Sequence, residues 1–231
     1  MKSEELLQKL CEYYGENEII LASKAYKEYF ADNLNETAFY KQLERLCNGQ
    51  KLFKLSKGIY YVPKQSKFGI VPISENSIVN TFTKNQSGTV VGYTLYNRLG
   101  LTTQIAKTIY VMSSNLDGLT KTLNNIKVQK VNLEFTGQTV EMVQMMEVLL
   151  HFDEIQDLNY KAFKKYAENF CLNYSDEVFA QVNQVIKYPK WAISFLENVL
   201  NFYGAKNNLK KHLSSLSKYN HQRMEDIYAL T

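Results

Sequence analysis

Residues 36–62, ETAFYKQLERLCNGQKLFKLSKGIYYV, change their hydrophobic period half-way along, and that change decides the fold. From Glu36 to Asn48 the apolar residues Phe39, Leu43, Leu46 and Cys47 recur at helical spacing and form one stripe. Asn35 stands where a helix wants an N-cap acceptor, and Gly49 where a helix stops. Beyond Gly49 come two short β-prone runs, Lys51–Leu55 and Ile59–Val62. Ser56-Lys57-Gly58 separates them, a turn whose glycine is free to take positive φ. The stretch therefore predicts a helix over 36–48 followed by a β-hairpin.

Upstream, residues 3–14 read as a helix with Ser3 as N-cap, an apolar face of Leu6, Leu7, Leu10, Cys11 and Tyr14, and Gly15 as its stop. A second helical pattern runs from about Glu18 to Phe30, with Ile20, Ala25, Tyr26, Tyr29 and Phe30 expected inside. Asp32 to Asn35 is turn chemistry. Three helices and then a hairpin, within about 65 residues, is the order of a winged helix-turn-helix.

Pro63 to Lys67 is a polar break and the expected boundary, dividing the chain into residues 1–66 and 67–231. The second part mixes periods. A helix is expected near 75–86, with Ile78, Val79 and Phe82 inward. A β-prone run at 89–91 precedes a helix at 93–99 that ends at Gly100. Strands are expected at 108–113 and 127–135. After Gly137 the pattern is helical: 138–151, 158–171, 175–187, 189–203 and 205–216, with Pro189 in a first turn. The expected class is α+β, a winged helix-turn-helix followed by a larger α/β domain with a helical C-terminal part.

The 231 residues carry 27 Lys+Arg and 23 Asp+Glu, a net charge of +4. That excludes a histone-like coat but not a local basic patch. The charge is uneven. Residues 1–35 are net −3, residues 36–67 are net +5, and the rest is +2. The excess thus falls on the third helix and the hairpin, the elements that face DNA in a winged helix-turn-helix. Opposite the apolar stripe lie Thr37, Lys41, Glu44, Arg45 and Asn48; Lys54 and Lys57 lie on the hairpin. Arg, Asn and Thr read base edges, whereas Lys mostly neutralises phosphate. Glu44 opposes phosphate unless it accepts from cytosine or pairs with Lys41 or Arg45.

Other classes fall away. MKSEELLQKL lacks the apolar core of a signal peptide. VEMVQMMEVLL (140–150) is interrupted by Glu141, Gln144 and Glu147 and is far short of the roughly 20 residues that span a bilayer. Cys11, Cys47 and Cys171 lie far apart and contain no CxxC, which points to a reducing cytoplasm; Cys11 and Cys47 sit on apolar stripes as core residues. The three histidines, His151, His212 and His221, have no metal-ligand spacing. No phosphate-cradling glycine loop and no hydrolase or metalloprotease signature occurs, so no catalytic residue, metal or cofactor is expected. The acidic run Asp153-Glu154-Ile155-Gln156-Asp157 reads as a solvated cap for the next helix, and Lys206, Lys210, Lys211 and His212 as a solvated basic face.

LFKLSKGIYYVPKQSKFG (52–69) resembles the wing-and-exit segment of AbiEi-like type IV antitoxins. VVGYTLYNRLGLTTQIAKTIYVMSS (90–114) resembles that family's central signature, on Gly92, Tyr93, Asn97, Leu99, Gly100, Leu101, Thr102, Thr103 and Gln104. Tyr188-Pro189 and the helix ending at Gly204 are also similar. The resemblance implies a winged helix that binds inverted repeats of double-stranded DNA in its own promoter, as an autorepressor. It also implies an antitoxin domain that counteracts a nucleotidyltransferase-like toxin without needing a stable complex. The residues of the central block carry a second reading: a scaffold turn in which Gly92 and Gly100 supply unusual φ and the short polar side chains tie loop backbone. A protein- or RNA-interaction module that no longer binds DNA is the alternative function.

Overall fold

A computed structural model of the chain describes residues 1–214 and 216–230. Helix α1 (Ser3–Tyr14) has Ser3 as its first residue, one position inside the expected cap. The expected second helix is divided in three. Ile20–Leu21 is a strand, β1, followed by a single helical turn, α2 (Ala22–Ala25), and a π-helical turn over Tyr26–Phe30 closed by Ala31 N–H on the Tyr26 carbonyl at 2.9 Å. The local pattern yields to tertiary pairing: Ile20 and Leu21 sit opposite Tyr60 and Ile59 of the hairpin. The wide turn buries Phe30 and leaves Tyr29 40% exposed, stacked on Tyr13 at 4.2 Å.

Helix α3 (Glu36–Asn48) has the bounds its caps predict, with Asn35 Oδ1 accepting from Ala38 N–H at 3.0 Å. Strands β2 (Phe53–Ser56) and β3 (Ile59–Tyr61) form the expected hairpin, with a bulge between Lys54 and Ser56. The resulting antiparallel sheet has the order β1-β3-β2. Its two faces are both buried. Ile20 and Tyr60 join Leu6, Leu10, Phe30, Phe39 and Leu43 in one core. Leu21, Ile59 and Tyr61, pointing the other way, enter a second core.

That second core belongs equally to the rest of the chain. The polar break after Pro63 is itself a small hairpin, β4 (Lys64–Ser66) with β5 (Gly69–Val71). Helix α4 (Glu75–Thr83), capped by Ser74, leads to a four-stranded sheet of β6 (Gly88–Val91), β7 (Ile109–Ser113), β8 (Thr120–Leu123) and β9 (Ile126–Lys130). The sheet order is β6-β7-β9-β8, with β7 and β9 parallel and the other pairs antiparallel. Ile78, Phe82, Val111, Leu123, Ile126 and Val128 meet Leu21, Ile59 and Tyr61, so buried apolar side chains cross position 66/67. Strand β8 lies outside the expected elements; four residues with one buried side chain give too little alternation to read. The strand expected over 127–135 leaves the ladder at Lys130. Leu133 N–H turns back onto the Val131 carbonyl at 2.9 Å, and Val131, Leu133 and Phe135 enter the core with the helices.

Helix α5 (Tyr93–Arg98) links β6 and β7. The C-terminal part is helical: α6 (Gly137–Leu150), α7 (Tyr160–Leu172), α8 (Asp176–Ile186) and α9 (Lys190–Phe202), then α10 (Met224–Ala229), which lies beyond the expected helices. The helix expected over 205–216, of which residue 215 lies outside the described residues, gives way to a short 3₁₀ turn at Leu209–His212. Asn208 gives its backbone and side-chain N–H groups to Asp176, at 3.0 and 2.9 Å, which competes with helical bonding there. The architecture is α+β. Among the described residues no helix is long and apolar enough to cross a membrane.

Candidate functional site

Phe39, Leu43 and Leu46 anchor α3, so the opposite face is in water: Thr37, Lys41, Glu44, Arg45 and Asn48 are all exposed. Lys54 and Lys57 are exposed on the adjoining hairpin. The fold thus brings all seven residues onto two neighbouring elements. Lys51, the other basic group of the hairpin region close to α1, is spent on an ion pair with Glu4 at 2.5 Å.

One flank of this face is walled by the second part of the chain. A cleft of about 890 Å³ runs between α3 (Tyr40, Glu44, Asn48), the hairpin (Lys54, Lys57) and the segment that enters β8 (Asp117, Gly118, Lys121). Ser23 Oγ donates to the Asp117 carboxylate, and Lys121 Nζ donates to the Lys57 carbonyl at 3.2 Å. Lys121 therefore adds a cation beside the hairpin turn, while Glu44 and Asp117 add negative charge. Lys41 and Arg45 lie outside the cleft lining. Nothing in the sequence near 117–121 marks this contact, because it depends on the shared core. Cys47 lines the same cleft; burial raises its thiol pKa, with Lys54 pulling it down.

The central block divides between two tasks. Gly92, at φ 69°, a left-handed conformation that favours glycine, precedes α5 beside the Tyr110 ring. Gly100, at φ 70°, closes α5: its N–H bonds the Asn97 carbonyl at 2.9 Å and the next N–H, of Leu101, bonds that of Tyr96 at 2.9 Å. Asn97 Nδ2 donates to the Thr102 and Gln104 carbonyls, both at 3.3 Å. Thr102 Oγ1 donates to the Gln156 carbonyl at 2.7 Å, and Gln104 Nε2 to Asp157 at 2.8 Å. Tyr93 clamps the same loop, donating to the Glu154 carbonyl at 2.8 Å and accepting from Gln156 N–H at 3.2 Å. Thr103 is exposed. These bonds fasten 97–104 to 154–157, so the block is largely a scaffold, and part of the acidic run helps to hold it.

Beneath the block lies a cavity of about 370 Å³. It is lined by Gly92, Tyr93 and Tyr96, by Tyr110 and Met112 of β7, by Lys127 of β9, and by Glu147, His151 and Glu154. Glu147 is only 6% exposed. The nearest ion-pair partner of its carboxylate, His151 Nε2, is 3.9 Å away, and the Tyr188 hydroxyl lies beside it. His151 Nδ1 is engaged by Glu154 at 2.9 Å. Burial pushes the Glu147 carboxyl above its ordinary value, against the pull of His151 and the Tyr188 hydroxyl. Sequence reading met Glu147 only as an interruption of an apolar run. The signal available was a carboxylate inside a helix that is otherwise apolar on several sides.

A family model matches residues 19–187, a span that holds α3, the hairpin, the central block and the cavity. The chain belongs to the family of unknown function DUF6088. The DUF6088 match begins one residue before β1, so α1 precedes it and α9 and α10 follow it. No curated protein matches the chain. Among solved structures, the chain is similar to the RV2827C protein from Mycobacterium tuberculosis, with 9% identity and a TM-score of 0.43, covering 87% of this chain and 77% of that one.

Proposed function

We propose that this DUF6088 protein binds double-stranded DNA through α3 and the β2–β3 hairpin, acting as a winged helix-turn-helix. The observation that carries this reading is the exposed row Thr37, Lys41, Glu44, Arg45 and Asn48 with Lys54 and Lys57 beside it. Arg45 and Asn48 suit base edges; Lys41, Lys54 and Lys57 suit phosphates. The resemblance to AbiEi-like antitoxins extends the proposal to a cytoplasmic autorepressor that binds inverted repeats in its own promoter. On that resemblance the second part counteracts a nucleotidyltransferase-like toxin.

The test is binding to a fragment of the DNA upstream of its own reading frame, at several salt concentrations. Arg45→Ala is expected to cost about 1–3 kcal/mol and to relax preference at one position, while Lys41→Ala and Lys57→Ala each reduce the salt slope by about 1. Equal binding by wild type and all three variants would remove the assignment. A second reading, an interaction module that does not bind DNA, has one observation in its favour: Asp117 and Glu44 share the cleft beside the hairpin. It predicts no salt-sensitive affinity for any duplex.

A further inference from the structure

The cavity under the central block carries an inference independent of DNA binding. The Glu147 carboxylate lines it, buried, with the Tyr188 hydroxyl beside it and His151 Nε2 3.9 Å away. A buried carboxylate is costly while any of its lone pairs stays unfilled, and two adjacent N–H groups are the donors it accepts best. Its sides carry aromatic and apolar groups, Tyr93, Tyr96, Tyr110 and Met112, which suit the faces of a flat ring. The Tyr96 hydroxyl is already used, donating to the Glu147 carbonyl at 3.2 Å, so this wall offers a ring face rather than a polar tip. Lys127, exposed and part of the lining, carries its ammonium 5.8 Å from the Tyr110 ring centroid. That cation opposes a cationic ligand and favours an anionic group beside it. About 370 Å³ is within the usual range for small-molecule sites, roughly 300–1,000 Å³, and far too small for a macromolecule.

We propose that this cavity binds a purine nucleotide of the guanine type. The ring lies among the tyrosines, its adjacent ring N–H and amino group donate to Glu147, and its phosphate pairs with Lys127. Adenine fits poorly, since it sets a bare ring nitrogen, an acceptor, against the carboxylate. Guanidinium ligands share the donor pair but meet the Lys127 charge.

Calorimetric titration of the full chain tests this with guanosine 5′-monophosphate, adenosine 5′-monophosphate, guanosine and agmatine as probes. Guanosine monophosphate is expected to bind at least about tenfold more tightly than adenosine monophosphate, because a buried acceptor left unpaired is penalised. Glu147→Gln should remove that preference. Lys127→Ala, a change at an exposed side chain, should weaken guanosine monophosphate while leaving guanosine unchanged. Equal affinity for the two nucleotides, no binding of guanosine monophosphate at millimolar concentration, or tighter binding of agmatine would each overturn the proposal. So would wild-type nucleotide affinity in both variants. None of these outcomes bears on whether the chain binds promoter DNA.

Discussion

Helix α3 buries Phe39, Leu43 and Leu46 and leaves Thr37, Lys41, Glu44, Arg45 and Asn48 in water. Helix α6, one residue longer, buries Met142, Val143, Met145, Met146, Val148 and Leu149 and takes Glu147 inside with them. Both helices are held by apolar contact, but their polar residues meet opposite conditions. On α3 a charge keeps its hydration and is available to an external polyanion. On α6 a carboxylate has lost its hydration and faces a wall of tyrosines. The difference teaches where to look for chemistry: a solvated polar row suits a surface partner, whereas a desolvated carboxylate suits a small ligand.

The apolar sides of the two helices should be equally intolerant. Phe39→Ala is expected to cost about 3–5 kcal/mol and Leu149→Ala about 2–5 kcal/mol in denaturant unfolding, since both side chains are fully buried. A loss below about 1 kcal/mol at Leu149 would break the comparison, because α6 would then be loosely packed.

Glu147 sharpens the contrast through pH. Its folded pKa is raised by burial, with His151 and Tyr188 acting in the other direction. A raised carboxyl contributes stability in full below the ordinary carboxylate range and loses it as pH rises through the folded value. Glu147→Gln removes that loss. Its melting temperature should exceed wild type at pH 7 and match it near pH 4. A variant that is less stable at pH 7 would mean that the charged carboxylate is well paired.

The smallest effect belongs to the outer face of α3. Arg45→Ala should change stability by no more than about 0.5 kcal/mol, because the side chain is exposed to solvent. Thermal unfolding checks this, and a larger loss would show that α3 depends on its polar row for folding.

Much of the first 62 residues was legible because local chemistry and tertiary packing agree there. Asn35 and Gly49 bound α3, its stripe points at one core, and Gly58 turns the hairpin. The second helical pattern failed where they disagree: Ile20 and Leu21 gain ladder partners in Tyr60 and Ile59 that no local window contains. The chain over 205–216 failed for a related reason, as Asn208 is held by Asp176, far away in sequence. The exposure of the five α3 residues was legible, since an amphipathic helix announces its wet face, and that of Lys54 and Lys57 followed from the hairpin. The cavity was not, because α6 is apolar on several sides and its periodicity does not say which side holds Glu147.

The sequence by itself determined the helices with clear caps, the hairpin and the concentration of +5 on residues 36–67, all properties of neighbours along the chain. Only the tertiary structure decided that Leu21, Ile59 and Tyr61 share a core with the second sheet, that Lys121 reaches the Lys57 carbonyl, and that Glu147 faces a cavity. Those outcomes depend on which buried faces meet, and burial is a property of the whole folded chain.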